Sequence, residues 1–303
     1  MIILLSAADI LQVCAEAGTI RKGETPLAGR KYGLDLGTMN IRIFQGGHGL
    51  VVYEKNMIAI QRKKEVAAIG NDAFEMYERT PASIVISNPV RDGVIADINN
   101  MNKVAETLLK KCGCTTGFMR NNSFYLAVPS DVTEVEKRAY FDLIAHSAYN
   151  THNIFVVEKP LAAALGENVD VKSKKGMMIV DMGAGTTEIT VITMGGIVVS
   201  KLLKVGGNTI NASICQLVKE RHHLVIGDKT AEYLKLELGH AIPGQGRGKT
   251  VFGRDVITGL PSKAEVSDHL VFDAMKNYLF QVVRTIRNIM ETIPPELSGD
   301  IIQ

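Results

Sequence analysis

Two short segments hold the residue types that polyphosphate chemistry needs. Tyr32-Gly-Leu-Asp-Leu-Gly-Thr brings a strand-like run to Asp35, Gly37 and Thr38, and Met178-Ile-Val-Asp-Met-Gly-Ala-Gly-Thr-Thr-Glu does the same with Asp181, Gly183, Gly185 and Thr186. Glycine matters in such turns because a backbone without a Cβ can fold tightly enough for successive N–H groups to converge on a phosphate. A carboxylate at the strand end can hold Mg²⁺, usually through water, since that ion keeps much of its hydration shell and prefers oxygen ligands. One copy alone reads as an ordinary Gly-Thr turn. Here the order strand, Asp, glycine turn, second strand, double glycine and third strand occurs twice, with Gly46-Gly47 closing one copy and Gly195-Gly196 the other. That recurrence predicts an internal duplication whose two turns face one another and clamp a triphosphate.

The elements that must position these turns follow from periodicity. Apolar residues at helical spacing predict helices over 99–111, 133–148, 161–165, 209–221, 230–238 and 267–293, the last ended by Pro294-Pro295. Strands mixed with helices in two duplicated halves mean an α/β fold. Residues 240–253, rich in glycine and carrying Arg247 and Lys249, read as a mobile hairpin. Residues 1–30 read as an extension. In it, Ser6 and Asp9 could cap a short helix bearing Ile10, Leu11, Cys14 and Ala17, either a plain surface helix or one that meets a membrane or a partner.

Composition narrows the classes. The 303 residues are 46% hydrophobic and 22% charged, which excludes wholesale disorder and a coiled coil. With 34 Lys+Arg against 32 Asp+Glu the net charge is +2, too small for a general grip on nucleic acid, so none is expected as a partner. Cys14, Cys112, Cys114 and Cys215 have neither a disulfide framework's spacing nor a zinc site's, and suit a reducing cytosol. The seven histidines show no ligand spacing and the twelve methionines read as core filling. The apolar opening Met-Ile-Ile-Leu-Leu is interrupted by Asp9 well short of the ~18 apolar residues of a membrane span.

Further segments carry a family likeness. They are V-P-S-D-V-T-E-V-E-K-R-A at 128–139, E-K-P-L-A-A-A-L-G at 158–166, V-G-G-N at 205–208 and I-G-D-K-T-A-E at 226–232. Together with the two glycine turns, and with shorter matches at Arg79-Thr-Pro, at P-V-R-D-G-V-I-A-D (89–97) and at Thr258-Gly-Leu-Pro, they make residues 31 to 301 closely resemble MreB, the bacterial actin. The resemblance implies a duplicated RNase H-type fold, with two actin-like lobes around an ATP cleft. The first lobe would be 31–165 with a small subdomain at 51–98, and the second 166–303 with a small subdomain at 206–268. It further implies ATP with Mg²⁺ as cofactors. The chain would polymerise with itself into filaments at the inner face of the cell membrane, meet membrane proteins of the cell-elongation machinery, organise cell-wall synthesis and maintain rod shape.

Carried over by position, the first phosphate loop is Asp35, Gly37, Thr38, Met39 and Asn40, and the second is Asp181, Gly183, Ala184, Gly185, Thr186 and Thr187. Asp35 and Asp181 would face the metal. Gly206 and Gly207 would approach the phosphates, while Glu232 and Lys235 would lie near the ribose or form an i, i+3 ion pair. Glu136 matches the glutamate that orients the attacking water; Thr133-x-x-Glu136 is equally a capping box. Phe118 and Met119, flanked by Lys110, Lys111 and Arg120, are the membrane-touching candidates, or else a loop tucked into its own core. Two departures stand out. Ala184 replaces a glycine, which is harmless at negative φ and costly in the left-handed region. No G-G-G-like segment follows Glu291, so the adenine loop is expected to be missing and the fold C-terminally incomplete. The alternatives are a hydrolytically weak nucleotide-binding module, a kinase of the same fold, and a chaperone-like ATPase.

Overall fold

The computed structural model describes residues 2–5, 30–61, 65–114, 122–147, 149 and 151–302. The chain folds as two compact units, residues 1–204 with 293–303, and residues 205–292.

In the first unit the duplicated text becomes duplicated structure. Lys31–Leu36 is buried at five of six positions and sits in the middle of a sheet ordered Thr151–Glu158, Asn122–Val128, Lys31–Leu36, Asn40–Gln45, Gly49–Lys55. The first three of these strands run parallel and the last two turn back antiparallel. A second sheet repeats that scheme. Ile2–Leu5 lies parallel to Met177–Met182, which is followed by antiparallel Thr187–Thr193 and Gly196–Leu203. A strand thus lies within the expected 1–30 extension, while the helix expected near residue 10 falls outside the described residues.

Helices cover these sheets through the faces their periodicity foretells. Ile98–Lys111 buries Met101, Val104, Ala105, Leu108 and Leu109, and Glu134–Ala145 buries Tyr140, Leu143 and Ile144. Both pack on Tyr32, Leu34, Ile43, Phe124 and Leu126 of the first sheet, each large side chain contributing about 1.5–3 kcal/mol of burial. The helix Lys159–Gly166 is different. Its alanines let it approach both sheets, Ala162 packing with Phe44 and Tyr125 and Ala163 and Ala164 with Met177, Ile179 and Ile192. Pro160 suits its first turn, where the missing N–H costs nothing. This short helix therefore begins beside both glycine turns.

A smaller sheet, Glu65–Ile69, Ile58–Gln61 and Ile84–Ser87, and a two-residue hairpin join the first unit. That hairpin pairs Val90–Arg91 with Val94–Ile95 through Asp92-Gly93, both at positive φ (48° and 78°), as a type I′ turn demands.

The second unit packs Gly207–His222, Asp228–Leu238 and Asp268–Thr292 with the sheet Leu224–Val225, Gly248–Asp255, Pro261–Ser267. The mobile hairpin expected at 240–253 is corrected here. From Gly248 the chain is a regular strand paired with Pro261–Ser267. The preceding loop is pinned by Asp268, which is fully buried and accepts from the backbone N–H groups of Gln245 (2.9 Å), Gly246 (3.2 Å) and Arg247 (3.1 Å). Glycine is needed at 244 because a Cβ would lie 2.3 Å from the Asp268 carboxyl carbon, so composition signalled close packing rather than motion. Pro294-Pro295 ends the long helix as expected, and Pro295 opens a further one, Pro295–Ile302.

Candidate functional site

The two glycine turns have matching local structure. Gly37 N–H donates to Asn40 O at 3.1 Å and Gly183 N–H to Thr186 O at 2.8 Å. A Cβ on Gly37 would stand 2.9 Å from Asn40 O, and one on Gly183 3.0 Å from Thr186 O, so both turns are too tight for a side chain at the same place. They also approach one another. A Cβ on Gly185 would meet Thr38 Oγ1 at 2.8 Å and Asp92 N at 3.3 Å. Asn56 and Asn88 brace the first turn by donating to Gly37 O (2.8 Å) and Thr38 O (3.2 Å).

Between the turns opens a crevice of about 880 Å³ including its mouth. Asp35, Gly37, Thr38, Met39, Asn40, Asp181, Gly183, Ala184, Gly185 and Thr186 all line it, so nearly every residue of both predicted loops is brought together. Thr187 opens the next strand and is fully buried.

Sequence reasoning missed the cations. Arg42 stands directly across the antiparallel pair from Asp35 and donates to its Oδ2 at 3.0 Å. Lys159 arrives from the end of the strand two places over. Val157, Ala127 and Asp35 are in register across the parallel sheet, and the lysine emerges two residues past Val157. Its Nζ lies 3.1 Å from Asp35 Oδ1 and 4.0 Å from Asp181 Oδ2, ion-pair distances without the alignment of a directed hydrogen bond to Asp35 Oδ1. Burial alone would pull the Lys159 ammonium down, but Asp35 and then Asp181 outweigh it and hold its pKa above the ordinary lysine value. Burial pushes the Asp181 carboxyl above its usual range, with Lys159 pulling back and Asp35 pushing the same way as burial.

Glu188 was also missed. It stands across from Asp181 in the second hairpin as Arg42 stands across from Asp35 in the first. Its carboxylate is buried, lines the crevice and accepts from Ser130 N (2.8 Å), the Ser130 hydroxyl and Ser200 Oγ (3.2 Å). Burial raises its pKa and the Ser130 bonds oppose the rise. The signal for Glu188 and Arg42 was their common position, seven residues after each aspartate.

Glu136 caps its own helix. Its Oε2 accepts from Thr133 N at 2.7 Å and from Thr133 Oγ1 at 2.8 Å, while its N–H donates to Thr133 Oγ1 at 3.3 Å. Those bonds, the backbone one first, hold its carboxyl below the usual range. One turn on, Tyr140 lines the crevice and donates to Gly93 O at 2.9 Å. In the second unit Lys235 Nζ donates to Gly207 O at 3.2 Å, joining two of the predicted residues, and Gly206 N–H donates to Thr209 Oγ1 at 3.2 Å. Phe118 and Met119 lie outside the described residues.

Comparison with known proteins matches residues 29–303 to the family model described as MreB/Mbl protein. The cell shape-determining protein Mbl of Bacillus cereus is 34% identical over 90% of this chain and 82% of its own length. Cell shape-determining protein MreB of Escherichia coli is 36% identical over 88% and 78%. The chain belongs to the MreB/Mbl family. Among solved structures, MreB5 of Spiroplasma citri bound to AMPPNP superposes with a TM-score of 0.84 at 30% identity, over 90% of this chain and 82% of that one. The MamK double helical filament, at 20% identity and a TM-score of 0.76, shares the fold. The expected actin-like α/β architecture is therefore present, and with it membership of the cytoskeletal, cell-shape class.

For an MreB/Mbl chain the glycine-to-alanine departure at 184 carries no backbone penalty, since Ala184 is not among the residues at positive φ. Magnesium fits less well. The space between Asp35 and Asp181, where a bridging ion would sit, has the Lys159 ammonium against both carboxylates. Among the described residues no group of three or more Asp, Glu, His or Cys is placed to hold a metal.

Proposed function

We propose that the crevice between the two glycine turns binds the polyphosphate of ATP, and that this binding governs head-to-tail assembly of the chain into an actin-like filament. The observation that carries the reading is the matched pair of tight turns, meeting where Thr38 leaves no room for a Cβ on Gly185. Backbone N–H groups and the Lys159 and Arg42 side chains give that crevice hydrogen-bond donors for a polyphosphate. The solved MreB5 relatives are bound to AMPPNP and to ADP, which supports the same ligand class here.

Hydrolysis is assigned to water positioned by Glu136 once its carboxylate turns from Thr133, with charge stabilisation left to the turns and cations. Gly206, Gly207, Glu232 and Lys235 are assigned to the nucleotide from the second actin-like lobe. Phe118 and Met119, beside Lys110, Lys111 and Arg120, are assigned to the inner membrane surface. The assembled filament would there meet the membrane proteins of cell elongation. Among the described residues no helix is long and apolar enough to cross a membrane.

Titration of a fluorescent ATP analogue tests the site. Saturable binding in the wild type, weakened at least about tenfold (1.4 kcal/mol) in Gly185→Ala, supports it. Equal binding by the two proteins overturns it. Pelleting after ATP addition, with phosphate release followed in the same tube, tests the filament. Turnover without sedimentation, stimulated by a small hydroxylated compound, would favour a kinase instead.

A further inference from the structure

Lys159 is a feature of the crevice that the nucleotide reading did not require in advance. Three independent constraints put it there. The strand Thr151–Glu158 ends level with Asp35 in the sheet, the small residue Ala127 separates the two in register, and the alanine-rich helix Lys159–Gly166 rests on both sheets, so its first residue is held where the two turns meet. The side chain is 19% exposed, the Asp35 side chain 2% and the Asp181 side chain 14%. With Arg42 on the other oxygen of Asp35, two carboxylates face two cations and the cluster is neutral by itself.

Resting on the nucleotide reading, we infer that Lys159 is the resident cation of this site and takes the role of a divalent ion, so that the polyphosphate binds with no metal between Asp35 and Asp181. A protonated ammonium has three donors and no lone pair, so it cannot ligate a metal and repels one. Mg²⁺ demands near-octahedral oxygen ligation at about 2.0–2.1 Å and parts with its water reluctantly. Between these carboxylates it would have to displace a buried ion pair at 3.1 Å to gain what the lysine already supplies. An ammonium, in contrast, serves a phosphate as a point charge from the same position.

The first test uses manganese alone, followed by electron paramagnetic resonance as it is titrated into the chain without nucleotide. The wild type is expected to bind Mn²⁺ at least about tenfold more weakly than Lys159→Met, in which the two carboxylates lose the cation they share while Arg42 stays on Asp35. Lys159→Arg, which keeps the charge, should behave as wild type. Tight stoichiometric Mn²⁺ binding by the wild type, lost in Asp181→Asn, overturns the inference, and this arm stands even where Lys159→Met fails to fold. The second test titrates the fluorescent ATP analogue with Mg²⁺ and with EDTA. Affinities within about twofold support the inference, and a loss on chelation of about tenfold or more overturns it. Weak wild-type Mn²⁺ binding, with no analogue bound in either buffer, supports the lysine's role while overturning the nucleotide reading.

Discussion

Glu136 and Thr133 close a small hydrogen-bonded ring at the start of their helix, and that ring gives a direct way to separate capping from chemistry. Removing either partner should cost about 1 kcal/mol of stability. On the proposed role only Glu136→Ala slows phosphate release, whereas Thr133→Ala leaves it intact or raises it. Equal turnover in the two variants, measured beside their urea unfolding curves, would leave Glu136 as a cap alone. Glu188 yields a pH signature. Burial raises its pKa, so the folded state holds that proton more firmly than the unfolded chain, and this contribution is full below the ordinary value of 4.5 and lost as pH rises through the raised one. Glu188→Gln keeps an acceptor for Ser130 but carries no charge. It should gain stability relative to wild type as pH rises above 4.5 in urea titrations. Glu188→Ala should lose about 1–3 kcal/mol, because Ser130 N is left unpaired. A wild-type-minus-Gln difference that stays flat as pH rises would show that burial does not raise the carboxyl's pKa.

At the scale of elements, local text proved sufficient wherever the governing interaction was local. The box Thr133-x-x-Glu136 and the prolines after Thr292 act within a few residues, and each element begins or ends close to where the sequence placed it. The two glycine turns were legible because duplication repeated a local signal. Lys159 was not, since its place depends on the register of three strands that lie far apart in the chain. The 240–247 loop misled for the same reason. Its glycines suggested motion, while the carboxylate that anchors them comes from Asp268, more than twenty positions downstream. Asp268→Ala should therefore release that loop without unfolding the second unit. Amide exchange at Gln245, Gly246 and Arg247 should quicken while the middle of Asp268–Thr292 stays protected. Unchanged exchange at those three amides would mean that other contacts hold the loop.

For the whole molecule, the formal charge of +2 leaves no long-range attraction to an anionic surface, so the proposed membrane contact would rest on local groups multiplied by assembly. Each Lys or Arg near such a surface contributes roughly 1 kcal/mol, and Lys110, Lys111 and Arg120 together reach only a weak association for one chain. Flotation with vesicles containing phosphatidylserine should therefore be strong for polymerised protein and slight for monomer. Replacing Phe118 and Met119 by serine should abolish it without changing pelleting. Equal flotation of monomer and polymer, or of the double variant, would place the contact elsewhere. The sequence conveyed this level chiefly through the family resemblance, because composition says only that the protein is globular and nearly neutral.

The hydroxyl of Tyr140 is fastened to the carbonyl of Gly93, one helical turn beyond Glu136. With that turn bonded to the Asp92-Gly93 hairpin, the proposed chemistry asks only the glutamate side chain to swing, and it must first abandon Thr133. On the proposed chemistry, breaking a bond worth about 1 kcal/mol before every turnover slows hydrolysis roughly fivefold relative to an unengaged carboxylate. Such a delay works as a clock: a subunit would keep its triphosphate long enough for neighbours to add before ageing sets in.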